Sequence, residues 1–347
     1  MTFTRRTLMG AACAAAILAQ GVTASAADLP RNIRLVIGST STGGDTYQAA
    51  SIMAEALSEK LGVNIKVDAV GEVNGFKALD RDSRGTTIMF FHDYAYLAEL
   101  YGANGFTNPF ETYAIGPTIA INPGNAYLAA ANSPYQSMED VLTAAANGER
   151  VRVAIQPGGV SEIGFSAMKN AAKVRAPGSE ANIVAVNTGS QSDKNQAMWD
   201  GLADVINGSI QSNEQFTQLD PSDQKAMRFV WITATPETLG QAPEAGMGAL
   251  SRDDMLDYAS PKTSVTLDGE RDFTFDKEFF LLYNKEMDQG MIDTIDTALA
   301  ELFAEGKIVE RQKEAFFMPD FRPSAEARTH LEQKRETYKK VITEISG

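Results

Sequence analysis

One unit recurs along this 347-residue chain: a short apolar run, a loop of glycine, serine and threonine, then a stretch whose apolar residues return at helical spacing. Ile33–Ile37 leads into Gly38-Ser39-Thr40-Ser41-Thr42-Gly43-Gly44-Asp45-Thr46-Tyr47 and the helical pattern Ala49–Leu61. Val63–Val67 leads into Val70-Gly71-Glu72-Val73-Asn74-Gly75-Phe76, followed by a helical pattern at Lys77–Arg81. The buried-looking run Thr86–Phe91 ends in His92-Asp93-Tyr94. In the second half, Val151–Ile155 gives way to Gln156-Pro157-Gly158-Gly159-Val160-Ser161-Glu162 and the helix Ile163–Ala172, and Ala181–Val186 closes on Asn187-Thr188-Gly189-Ser190-Gln191-Ser192-Asp193. Such alternation predicts an α/β fold with mostly parallel sheets. The loops then line up along the carboxyl edges, where open sheets bind ligands.

The repetition is interrupted in a way that suggests two domains. Ala114–Asn125 contains Gly116-Pro117 and Asn122-Pro123-Gly124 and reads as a crossover rather than a strand. A second series starts at Ala126–Ala131, and Ser137-Met138-Glu139-Asp140 fits a capping box opening a helix through Ala146. Ala203–Asn207 and Arg228–Thr233 are further strands, whereas Pro236–Phe273 has too little periodicity to assign. Glu278–Tyr283 is expected to return the chain to the first sheet, and helices Met291–Ala304 and Ala325–Ile345 end it. The expected division is a leader at 1–27, a first domain of 28–123 with 246–347, and a second of 124–245.

The leader follows from Arg5-Arg6, the apolar run Leu8–Leu18 and the small residues Thr23–Ala27, the three regions of a secretory signal peptide. Thr4–Met9 also resembles a twin-arginine export signal, and a periplasmic location is expected. Cys13, the chain's one cysteine, falls inside the leader, so the mature protein has no thiol or disulfide chemistry. Losing Arg5 and Arg6 takes the net charge from −14 to −16, which argues against nucleic acid as a partner. It does not argue against a small anion, because a cleft lined with N–H dipoles is locally positive.

Each Gly-rich loop alone is weak evidence, but two from each half, all after predicted strands, are what a cleft ligand held by backbone N–H groups and hydroxyls requires. The candidate ligand-binding residues are therefore Ser39, Thr40, Ser41, Thr42, Gly43, Gly44, Asp45, Thr46 and Tyr47 in the first loop, Gly71, Val73, Asn74 and Gly75 in the second, and His92 with Asp93 after the third strand. The second half adds Gly158, Gly159, Ser161, Thr188, Gly189, Ser190, Gln191, Ser192 and Asp204. Tyr47, Phe76 and Tyr94 are candidates for the cleft wall. Asp45, Asp193 and Asp204 read as helix caps or loop supports, with selection of a ligand ammonium group as the alternative.

Enzymatic signatures are missing. The first loop lacks both the G-x-G-x-x-G spacing and a P-loop Lys-Ser/Thr pair, and Ser161 is not in G-x-S-x-G. His92 and Asp93 could act as an acid–base pair in a hydrolase only if they shared a face, which neighbours on an extended chain do not. With two histidines, of which His330 reads as a solvated residue of a charged helix, no metal or other cofactor is expected.

Several segments together resemble a family. They are Ile33–Ile37 with Gly43-Gly44, Leu57–Gly62, Ser133–Asp140, Gly158–Ser161, Gly201–Val205 and Tyr338–Ile342, and they resemble the periplasmic substrate-binding proteins of tripartite tricarboxylate transporters, the Bug/TctC family. The resemblance implies a two-domain Venus flytrap that closes on a small organic carboxylate and delivers it to a membrane permease of one large and one small subunit, as a monomer and not as an enzyme. It also implies that Ser39–Thr46, Gly71–Gly75, Gly158–Ser161 and Thr188–Ser192 hold the carboxylate. The chain departs from the pattern at Asp45-Thr46-Tyr47, since the family's aspartate follows the threonine. The first loop also resembles TAXI-type receptors of TRAP transporters, and a sensory receptor of the same fold is a further alternative.

Overall fold

The computed structural model describes residues 29–346, so the expected leader and its cleavage site lie outside the described residues. The chain forms β1 (Asn32–Ile37), β2 (Asn64–Ala69), β3 (Thr87–His92), β4 (Tyr113–Asn122), β5 (Asn125–Ala130), β6 (Val151–Ile155), β7 (Ile183–Asn187), β8 (Val205–Ser209), β9 (Met227–Ile232), β10 (Lys277–Asn284) and β11 (Met318–Arg322). They assemble into two mixed sheets, ordered β11-β4-β10-β3-β1-β2 and β7-β6-β8-β5-β9. The recurring unit accounts for the parallel pairs: β1 runs parallel to β2 and β3, and β6 parallel to β7 and β8. Helices cover the faces, which is why β3 is buried along its whole length.

The helices of each unit start directly at the loops. Helix Asp45–Leu61 begins after Gly44, Glu72–Asp80 after Gly71 and Val160–Arg175 after Gly159, so these three open earlier than their apolar spacing predicts, and Gln191–Trp199 begins after Ser190. The capping box at Ser137 and Asp140 forms as expected. Gly38 is required by packing, because a Cβ there would lie 1.9 Å from the Phe91 ring. Gly71 is required by conformation, at φ 81° in the left-handed region.

Three expectations are corrected. Residues 114–122 are not a crossover but most of β4, which lies between β10 and β11. Its Gly116-Pro117 falls where the β4–β10 register slips, between Thr118↔Phe280 and Ile115↔Leu282, so the missing proline N–H costs no regular ladder bond. The lobes are instead joined through Asn122–Asn125.

The second correction concerns 246–276. Met247, Met255 and Ala259 pack with Ile206 and Phe229 of the second sheet, and the chain rejoins the first sheet only at Lys277. The unassigned segment contains short helices, Pro236–Gln241 and Arg252–Asp257, too brief to show periodicity. Helix Lys307–Glu314 and β11, between the two expected C-terminal helices, were likewise not foreseen. β11 is an edge strand, where Pro319 is tolerated.

The third concerns His330, which is half-buried rather than solvated. Its Nε2 lies 2.9 Å from the Glu278 carboxylate, itself only 2% exposed. Glu278 also holds Lys334 at 3.1 Å and Arg322 at 3.1 Å, so the helix Ser324–Ser346 is tied to β10 and β11 by a buried ionic cluster.

Candidate functional site

The carboxyl ends of β1, β2 and β3 face those of β6, β7 and β8 across a small cavity. The cavity is polar. From the first lobe come Ser39, Ser41, Asp45, Thr46, Glu72, His92 and Tyr94; from the second come Gln156, Ser161, Ser190, Gln191, Lys194, Asn207, Ser209 and Ser212. Lys277 completes it from the first residue of β10. Because β10 runs antiparallel to β3, its start lies on the same edge as the parallel strands' ends.

The lobes are closed on one another. Gln156 Nε2 donates to Glu72 Oε1 across the gap, Tyr94 OH donates to the Pro157 carbonyl at 2.9 Å, and Tyr101 OH donates to Ser166 Oγ at 3.2 Å. Within the second lobe, β5, β8 and the end of β9 are bonded side by side. Asn125 Nδ2 donates to Thr233 Oγ1 at 2.9 Å, and Asn207 Nδ2 donates to Asn125 Oδ1 at 3.2 Å.

Of the residues expected in the site, Ser39, Ser41, Gly44, Asp45, Thr46, His92, Ser161, Gly189, Ser190 and Gln191 line the cavity. The remainder do not. Thr42, Gly43 and Tyr47 face an outer groove with Gln48 and Arg311, and Asn74 borders a surface depression with Lys77 and Arg81. Val73 is exposed, Gly75 packs on Met89, and Thr40 and Gly71 buttress one another behind the first loop. Gly158 and Gly159 pack against Tyr94. Thr188 Oγ1 donates to the Ile155 carbonyl at 2.9 Å, and Ser192 Oγ lies 2.9 Å from Ser190 Oγ, so both fix loop shape.

Two expected acids are occupied elsewhere. Asp204 forms a two-oxygen ion pair with Arg152, its Oδ1 2.6 Å from Nη2 and its Oδ2 2.9 Å from Nε; Arg152 is on β6, away from that strand's cavity end. Asp93 is fully buried behind the cavity. It accepts from the Glu278 N–H at 2.6 Å and Tyr96 OH at 2.5 Å, and pairs with Lys334 at 2.7 Å. His92 and Asp93 thus point to different surroundings and cannot act as an acid–base pair. Of the wall aromatics, only Tyr94 reaches the cavity; Phe76 stacks on Tyr113 in the core.

The charge pattern within the cavity is specific. Burial opposes ionisation of Asp45, but the Lys277 ammonium at 2.8 Å and hydrogen bonds from Asn122 Nδ2 (2.6 Å) and the Thr46 N–H (2.8 Å) outweigh it and hold the carboxyl below its ordinary range. Burial, with Lys277, Lys334 and Lys194 nearby, holds His92 well below the ordinary histidine value, so the ring is neutral at pH 7. Its Nδ1 accepts the Tyr94 N–H at 3.3 Å, leaving the proton on Nε2.

Lys194 has no such partner. It is 6% exposed, its Nζ meets only the Asn207 amide oxygen at 3.3 Å, and it forms no ion pair among the described residues. Burial and the neighbouring Lys277 push it down to about 8, against the smaller opposing effect of the Asp45 and Asp193 carboxylates. Neither lysine could be found from the sequence. Lys194 is one of several polar residues in Gln191–Trp199, and Lys277 precedes an apolar strand as any exposed lysine might. The only local signal is that Lys194 adjoins the loop Asn187–Asp193, already expected at the cavity edge.

No protein-family model and no curated protein sequence matches the chain. Solved structures do match over nearly their whole length. The periplasmic binding protein BugD is 14% identical with a TM-score of 0.69, covering 91% of this chain and 98% of that one. Rpa4515 of R. palustris, solved with adipate, is 13% identical with a TM-score of 0.73 over 92% and 99%. MatC of Rhodopseudomonas palustris, solved with bound malate, is 13% identical with a TM-score of 0.66 over 90% and 99%. The chain has the two-lobed fold of these Bug/TctC-type periplasmic binding proteins.

Proposed function

We propose, for a chain with the fold of Bug/TctC-type periplasmic binding proteins, that the protein is an extracytoplasmic solute-binding protein that closes on a small organic carboxylate. The observation that carries this reading is Lys194, a buried ammonium without an ion-pair partner facing a closed polar cavity. A buried charge is costly unless paired, and a carboxylate ligand supplies the missing partner together with acceptors for the surrounding hydroxyl and amide groups. The adipate and malate held by two proteins of the same fold support the same ligand class.

The ligand joins the two lobes. Ser39, Ser41 and the start of helix Asp45–Leu61 come from one lobe, and Ser190, Lys194 and Ser209 from the other, so a carboxylate between them favours the closed form over the open one. Delivery to a tripartite tricarboxylate-type membrane transporter, from the periplasm and as a monomer, is the fitting role for such a receptor. The test is a melting-temperature screen of the mature protein against mono-, di- and tricarboxylates. A ligand well above its dissociation constant raises the midpoint by several degrees; no shift from any carboxylate would sink the reading.

A further inference from the structure

We infer that the ligand is an amino-carboxylate zwitterion, its carboxylate meeting Lys194 of the second lobe and its ammonium meeting Glu72 of the first. This inference rests on the carboxylate reading above and narrows it. The ionisable groups lining the cavity are Asp45, Glu72, His92, Tyr94, Lys194 and Lys277. Asp45 and Lys277 cancel as an ion pair, His92 is neutral, and burial pushes the Tyr94 hydroxyl far above its ordinary value, so it too is neutral. What remains is one cation and one carboxyl group, contributed by opposite lobes.

Glu72 is the first residue of helix Glu72–Asp80, at the carboxyl end of β2. Its Oε1 accepts from Gln156 Nε2, and it forms no ion pair among the described residues. Burial raises the Glu72 carboxyl above its ordinary value, and an ammonium group beside it favours the ionised form; the lining then sums to no net charge and is complemented by a ligand that is also neutral overall but charged at both ends. A dicarboxylate instead sets its second carboxylate against Glu72, which then has to keep a proton. Of the acids that the sequence offered for an ammonium group, Asp45 and Asp204 are already paired with Lys277 and Arg152, and Asp193 is not among the residues lining the cavity, which leaves Glu72 for that role.

Glu72→Gln separates the two cases, because glutamine keeps the side-chain volume and an acceptor for Gln156 while imitating a protonated glutamate. The experiment is isothermal titration of wild type and Glu72→Gln with glycine, L-alanine, L-serine, β-alanine and γ-aminobutyrate, set against glycolate, malate and succinate. The expected result is that at least one amino acid binds wild type about tenfold or more tighter than every acid without an amine, and that Glu72→Gln weakens it by about tenfold while the other acids bind no worse. If malate or succinate binds wild type best and Glu72→Gln leaves that affinity intact, the zwitterion inference is overturned and the carboxylate reading stands. If none of the probes nor any member of the wider carboxylate panel binds, both fall. If Glu72→Gln weakens all ligands equally, Glu72 is a closure contact and the inference is overturned.

Discussion

At the scale of residues, Lys194 makes opposite contributions to stability and binding. Replacing it by methionine keeps the volume and removes an uncompensated buried charge, so Lys194→Met is expected to stabilise the ligand-free protein by about 1–3 kcal/mol and to abolish carboxylate binding. Denaturant midpoints and titration calorimetry read these two effects separately. The pH dependence follows from the same group. Its folded value of about 8 lies below the roughly 10.4 of an unfolded lysine, so between those pH values the unfolded chain binds more protons. The stability gap between variant and wild type is therefore full below pH 8 and shrinks as pH rises toward roughly 10.4. Carboxylate affinity falls over the same rise, because the bound ligand needs the charged ammonium. None of this was legible in the sequence, where Lys194 sits in a helix too polar to betray a buried face. His92, by contrast, was legible as a strand-end residue because it follows the apolar run Thr86–Phe91 directly, and Ser161 because it lies in the glycine loop after Val151–Ile155.

At the scale of elements, the first loop is held by its neighbours more than by itself. Asp45 spans from the start of its helix to Lys277 on β10 and Asn122 at the end of β4, and Asn122 Oδ1 in turn accepts from the Gly124 N–H at 2.8 Å and Gln211 Nε2 at 3.0 Å. The loop is thereby tied to the segment that joins β4 to β5. Asp45→Ala leaves Lys277 buried without its partner, an expected loss of about 3–5 kcal/mol visible in thermal or denaturant unfolding. Asp45→Asn, which retains the Asn122 contact but not the charge, is expected to lose less.

The parallel units around this latch were readable because strand, loop and helix alternate in order along the chain. β4 was not, since Gly116-Pro117 signals a break locally and only the register slip against β10 accommodates it. Lys277 was also hidden: a position on the ligand edge follows from strand direction, which one strand's residues do not reveal.

At the scale of the whole molecule, the cavity exists only because the lobes meet. Tyr94 OH to Pro157 and Glu72 to Gln156 are polar contacts across the gap, each small beside the hinge and core that hold the lobes together. Tyr94→Phe is expected to weaken closure by about 0.5–1.5 kcal/mol, lowering ligand affinity by roughly two- to tenfold with little change in the melting temperature of the free protein. Small-angle scattering is expected to show a larger radius of gyration without ligand than with it. The two-lobed plan was legible from the paired series of loops and from the family resemblance, and the fold of BugD, Rpa4515 and MatC agrees with it. The position of 246–276 was not, because that segment follows the second sheet by burying scattered side chains rather than by any regular pattern.

The central claim is that a carboxylate ligand supplies the counter-charge of Lys194. Its most direct test is calorimetric titration of wild type and Lys194→Met at pH 7 with the tightest carboxylate from the screen. The account predicts measurable heat and saturation for wild type and no binding for a folded variant that melts above it. Equal affinity in the two proteins would contradict the account.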